Sequence, residues 1–217
     1  MRRKQTKNFI QLFVLAVIIS FTVVSCSKTE DLGEYTLMEG TKDALPYTED
    51  LLLTFSDSLG NQTEFVYEAD QDGYGMGYQE GVSGTGNEYS AKIEKYGCYI
   101  GEVDDALNVE FRVGVGVNVD YETNLEIIDM LSATISYYND GNYDEDYIQV
   151  VVNPRDASSE YISTFQEPMA ELTLLGKTFQ NVYESKRSKL YFTSDTGIVG
   201  FRDLDNKLWV LEKTETK

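Results

Sequence analysis

The sequence predicts an all-β protein: an antiparallel β-sandwich, with an open β-barrel as the alternative, ending in a β-meander and holding at most one short helix. Three observations carry this. Residues Leu107 to Val119 alternate apolar and polar without a break. Short apolar runs elsewhere are separated by clusters of Gly, Asn, Asp and Ser, the residues that favour turns. The last of these runs follow one another closely enough to pair as neighbours.

Leu51 to Phe55 and Glu64 to Tyr67 flank Ser58-Leu59-Gly60-Asn61 and form a first hairpin. In the central run, Leu107, Val109, Phe111, Val113, Val115, Val117 and Val119 fall on one face. Asn108, Glu110, Arg112, Gly114, Gly116 and Asn118 fall on the other. That is the period of a half-buried strand. Gly114 and Gly116 mark a bend or bulge there, or leave a flat patch that a ligand or another backbone can approach. Leu125 to Leu131, capped by Asn124, reads as the short helix. Asp140-Gly141 turns the chain between a strand ending at Tyr138 and one starting at Tyr147, and Asn153-Pro154 stops Ile148 to Val152. Leu172 to Val182 supplies one or two more strands. Leu190-Tyr191-Phe192, Ile198 to Phe201 and Leu208 to Leu211 form the meander, with turns at Ser194 to Gly197 and around Asp205-Asn206.

The N-terminus has a different character. Arg2, Arg3, Lys4 and Lys7 precede a mostly apolar run from Phe9 to Val24, and small Ser25 precedes Cys26. Charge, hydrophobic core and small-residue cleavage site come in the order of a secretory signal. The continuous apolar stretch from Leu12 to Val24 is shorter than the ~20 residues a spanning helix needs. Val23-Val24-Ser25-Cys26 resembles the lipobox of bacterial lipoprotein precursors. The resemblance implies that residues 1–25 are removed and that the Cys26 thiol carries a diacylglyceryl group. Two or three acyl chains hold a protein stably where one binds reversibly. Ser27, in place of Asp, resembles lipoproteins sorted to the outer membrane. Ser27-Lys28-Thr29-Glu30-Asp31 resembles the acidic export tag of surface lipoproteins in Bacteroidota; a plain polar tether is its other reading. Leu190-Tyr191-Phe192, Gly197 to Phe201 and Leu208 to Leu211 resemble the C-terminus of uncharacterised envelope lipoproteins of Bacteroidota-type bacteria, which implies no activity. The expected organisation is a signal peptide over 1–25, a lipidated tether over 26–46, a β-rich domain over 47–212 with its meander at 189–212, and a tail over 213–217.

Composition excludes several classes of function. The chain has 37 Asp and Glu against 18 Lys and Arg, a formal charge of −19. It becomes more acidic when Arg2, Arg3, Lys4 and Lys7 leave with the signal. Such a surface repels phosphate backbones, so no nucleic-acid partner is expected. Anionic membrane faces repel it too, leaving the lipid on Cys26 as the membrane contact. There is no histidine, which removes Ser-His-Asp and Cys-His nucleophile systems and HExxH zinc sites. With Cys26 lipidated, Cys98 is the only thiol. It can make neither an internal disulfide nor a cysteine-rich zinc site, and reads as a small buried hydrophobe.

No cofactor motif is complete. Gly176-Lys177-Thr178 has Glu171 where a phosphate loop needs Gly, and Gly84-Thr85-Gly86 lacks the rest of a dinucleotide fingerprint. Glu68, Asp70, Asp72 and Gly73 match the front of a calcium loop, but Gln79 stands where the bidentate Glu belongs. Asn139 to Asp146 is dense in oxygen donors at a spacing that more simply marks a turn. Tyr74, Tyr78, Tyr89, Tyr143 and Tyr161 sit in or beside polar loops, as platforms for sugar faces or as ordinary strand residues with polar tips. No catalytic residue and no cofactor is assigned, and a metal in the acidic loops is left open. The expected function is a lipid-anchored, non-enzymatic binding or accessory module of the outer membrane, facing periplasm or exterior, with an envelope protein or glycan as partner. The rivals are a glycoside hydrolase using two carboxylates, or a polysaccharide-binding surface lipoprotein.

Overall fold

The computed structural model describes residues 29–68, 73–82, 86, 88–121, 125–139 and 142–217. The signal segment, Cys26, Asp70, Asp72, Gly84, Thr85, Asn124 and the Asp140-Gly141 turn lie outside them.

Strands dominate, as expected, with strict alternation of buried and less buried residues in the central one. In chain order these are β1 (Glu30–Tyr35), β2 (Leu51–Ser56), β3 (Gln62–Tyr67), β4 (Gly73–Val82), β5 (Glu88–Glu102), β6 (Val109–Asp120), β7 (Glu126–Asn139), β8 (Asn142–Asn153), β9 (Met169–Leu174), β10 (Lys177–Glu184), β11 (Leu190–Thr193), β12 (Gly197–Arg202) and β13 (Leu208–Thr216). They make one sheet in the order β8-β7-β6-β5-β3-β2-β13-β12-β11-β10-β9, with β1 and β4 attached to β5. All pairings are antiparallel except β1 with β5. The sheet curls into a half-barrel, a shape that fits both the sandwich and the open barrel. A 3-10 turn at Thr41–Ala44 and one short helix, α1 (Ser159–Ile162), complete the described elements.

The inward face is apolar. Phe55, Phe65, Phe111 and Phe201 meet in a ring cluster, with Phe65 and Phe111 at 4.8 Å between centroids and Phe55 and Phe201 at 5.2 Å. All four are fully buried. The residues of β6 from Val109 to Val119 expected on the core face are buried, and Leu107 is half-buried. Where the sheet fails to close, side chains bridge the seam. Tyr137 Oη on β7 donates to the Arg202 carbonyl at 2.6 Å, and Ser185 Oγ donates to buried Asp146 at 2.5 Å.

Three expectations are corrected. Leu125 to Leu131 is not helical: Glu126 to Asn139 is strand β7, paired with β6 from Glu126 to Tyr137. Ile127, Ile128 and Asp129 are consecutively buried, so the alternation is hidden where both faces of the strand are covered. The short helix is α1 instead, capped by Ser158 Oγ, which accepts from Tyr161 N. Second, residues 30–46 are not a free tether. They include β1 and are docked by two carboxylates remote in sequence: Met38 N and Thr41 Oγ1 donate to Asp129, and Leu37 N donates to Glu94 at 2.7 Å. Third, the tail is ordered as strand: β13 runs to Thr216, which pairs with Leu51 of β2.

Asp129 is fully buried and ion-paired to Arg155 at 2.5 Å, and Arg155 also donates to the Thr36 carbonyl. Removing one partner leaves a buried uncompensated charge. Arg155→Ala should therefore cost about 3–5 kcal/mol by chemical denaturation. A loss below 1 kcal/mol, the range of an exposed pair, would contradict this role.

The β2–β3 turn makes a second prediction. Asp57 accepts from Asn61 Nδ2 at 2.7 Å and from the backbone N–H groups of Leu59 and Asn61. Those bonds, the Asn61 side chain first, pull its pKa from 3.8 down to about 2. The folded pKa lies below the unfolded one, so this stabilisation is complete above pH about 4 and fades as pH falls to about 2. The melting-temperature gap between wild type and Asp57→Asn should shrink across that window; a constant gap would refute the turn's account.

Candidate functional site

The outward face of β4 to β7 carries a groove of about 570 Å³. Its layout follows from strand register, because residues paired across strands share a face. One row across the strands is Gly73–Gly97–Gly114–Ser132–Gln149. The row on one side is Tyr99–Arg112–Thr134–Tyr147, and on the other Gly75–Lys95–Gly116–Met130–Val151. A nearly side-chain-free trench thus crosses four strands, β4 to β7, a span of roughly 14 Å at ~4.8 Å per strand. One bank bears rings and a guanidinium; the other bears Lys95 and Met130.

The trench is fenced at one side by a polar chain. Gln79 on β4 uses its amide like a peptide group: Nε2 donates to the Val119 carbonyl at 2.8 Å, and Oε1 accepts from Val119 N at 3.0 Å. Gln79 Nε2 also donates to Asn118 Oδ1, and Asn118 Nδ2 donates to Tyr161 Oη at 2.8 Å. Burial, then the Asp120 charge, push the Tyr161 hydroxyl up to about 12, so it stays protonated at neutral pH. On the opposite bank, Arg112 lies over the Tyr99 ring at 5.0 Å and donates to its hydroxyl and to Glu110.

The glycines of this surface differ in what the fold requires of them. A Cβ at Gly114 would stand 2.9 Å from the Tyr96 carbonyl oxygen and 3.1 Å from Gly97 Cα, so the strands approach too closely there for a side chain. Among the described residues, the nearest atoms would be 3.6 Å away at Gly97 and 3.8 Å at Gly73, and at Gly75 none lies within 4 Å. None of these has a positive φ. Glycine inside a strand weakens it, and one reason for its presence is close approach of a ligand. Gly73, Gly75 and Gly97 are therefore bare without being required to be by packing or backbone conformation.

A second cleft of about 560 Å³ shares Asn118 with the groove. It is lined by Tyr147, Gln149, Tyr161 and Phe165, and it contains two carboxylates, Asp120 and Glu184. No described residue lining the trench is acidic.

The other sequence candidates are placed as follows. Tyr78 is 71% exposed, Tyr143 is exposed, Tyr161 joins the fence and Tyr89 is buried. Nothing is described of the Tyr74 side chain. Among the described residues, no group of three or more metal-binding side chains comes together. Asp144 and Asp146 face Arg187, and Gln79 is occupied by Val119. Leu175 and Gly176 form the β9–β10 turn, and Lys177, the first residue of β10, is paired to Glu212 at 2.7 Å. Cys98 is buried and its Sγ donates to the Val113 carbonyl. The patch at Gly114 and Gly116 was visible as glycine on the polar face of β6; the glycines that extend it onto β4 and β5 needed the register. Comparison with protein families, curated proteins and solved structures finds no match to this chain.

The two kinds of glycine separate in a stability measurement. Gly114→Ala should lose about 1–3 kcal/mol through forced backbone movement. Gly97→Ala and Gly75→Ala should be neutral or gain up to about 1 kcal/mol from reduced backbone entropy. Equal losses at all three positions would show that the fold itself demands the bare surface.

Proposed function

We propose that this chain is a lipid-anchored protein of the bacterial outer membrane that works as a non-enzymatic binding module, with the trench across β4 to β7 as its binding surface. The observation that carries the reading is the pair Gly73 and Gly97, strand glycines the fold does not need, set in one row beside exposed Tyr99. A pre-formed concave surface with apolar walls and a few placed polar groups is the usual form of a ligand site. The absence of acids among its described lining residues favours binding over acid–base chemistry at that place. The anchor rests on Val23-Val24-Ser25-Cys26 and the charged, apolar segment before it.

A second reading has one observation in its favour. The neighbouring cleft holds Asp120 and Glu184 beside Tyr147 and Tyr161, the residue types a glycoside hydrolase uses.

Anchoring is tested by Cys26→Ser. The variant should appear in the soluble fraction or accumulate as uncleaved precursor. A Cys26→Ser protein that is processed and still sediments with membranes would overturn the lipid anchor.

A further inference from the structure

The trench has a charge opposite to that of the chain around it. The chain carries a formal charge of −19, yet the only charged side chains among the described residues lining the trench are Lys95 and Arg112. Arg112 is partly offset by Glu110 at 3.1 Å; Lys95 enters none of the ion pairs formed by the described residues. Lys95 is exposed, and its stem lies against Gly116, 3.4 Å from where a Cβ would be, so its ammonium is carried on a glycine-lined shelf. Lys95 and the Tyr99–Arg112 pair are four residues apart along β5, roughly 13 Å at ~3.3 Å per residue. Two cations thus stand on opposite banks of the same trench.

The floor also restricts the kind of chain that fits. Gly97, Gly114 and Ser132 each have a paired strand on both sides. Their backbone groups serve the sheet, so a peptide cannot add there as a further strand. Recognition falls to ring faces, hydroxyls and charges: Tyr99, Ser132, Thr134, Lys95 and Arg112. A sugar ring presents C–H groups on its faces and hydroxyls at its rim, and aromatic side chains with polar tips suit both.

Resting on the binding reading above, we infer that the trench holds a linear, carboxylate-bearing oligosaccharide laid across the strands, with its acid groups at Lys95 and Arg112. The bare positions at Gly73 and Gly97 admit the rings, and Tyr99 flanks them.

The test is native electrophoresis of the full-length protein in neutral detergent, through gels containing polygalacturonate, an unbranched neutral glucan or polyglutamate. An acidic protein is repelled by a polyanion, so retention by polygalacturonate requires a local site. Polygalacturonate should retard the protein, less so as salt rises, and the other two polymers should not. Lys95→Met should weaken retention about tenfold, the loss of one charge-assisted contact. Gly97→Val and Ser132→Phe, which fill the trench from two strands, should abolish it with the melting temperature unchanged. Equal retention by polyglutamate would overturn the sugar assignment. Retention by the glucan alone, blocked by the filling variants, would overturn the acidic ligand and leave the trench as a binding site. Indifference of any retention to both filling variants would overturn the inference and the binding reading together, as would no retention by any of the three polymers.

Discussion

β5 changes neighbours at Lys95, and the rest of the structure is arranged around that change. From Lys95 to Gly101 it pairs with β6, while its N-terminal half pairs with β1 on one side and β4 on the other. β6 therefore continues past Gly116 with a free edge. A free edge leaves unpaired N–H and C=O groups, which are costly when buried. The Gln79 amide supplies both partners to Val119, and Tyr89 Oη donates to the same carbonyl at 3.4 Å. The close contact of Gly97 with Gly114 lies where β4, β5 and β6 run side by side. The trench follows from this arrangement.

The core responds to the same geometry. Ala91, Ile93, Val117, Val119 and Ile127 form a small apolar cluster of their own, separate from the large cluster around the four phenylalanines. Leu32, Tyr35 and Leu37 from the N-terminal segment pack against it. This is why a stretch with the composition of a tether is part of the folded body. Apart from buried Thr41 its polar residues are mostly exposed, Leu32, Tyr35 and Leu37 fill a gap left by the split, and its backbone is held by Glu94 and Asp129.

Local pattern made most of the fold legible. The period of β6, the Gly60 turn and the closing meander are all set by neighbours in sequence, and all appear where those patterns place them. What was illegible depends on distant partners. Leu125 to Leu131 reads as helix because both faces of the strand that begins at Glu126 are covered, and the second face is covered only in the folded chain. Gln79 reads as a failed calcium ligand, since nothing local says that its amide will meet Val119. The site divides in the same way. Gly114 and Gly116 stood out on a polar strand face, whereas Gly73, Gly75 and Gly97 belong to irregular glycine-rich stretches until register aligns them.

The central claim is that this outward face is built to receive a chain running across the strands. A crystal structure of the protein soaked with an oligogalacturonide tests it most directly. The account predicts sugar rings seated over Gly97 and Gly114, between the Tyr99–Arg112 row and the Lys95–Met130 row, with carboxylates at Lys95 and Arg112. Sugar bound instead in the cleft of Asp120 and Glu184, or along a strand edge with the trench empty, would contradict it.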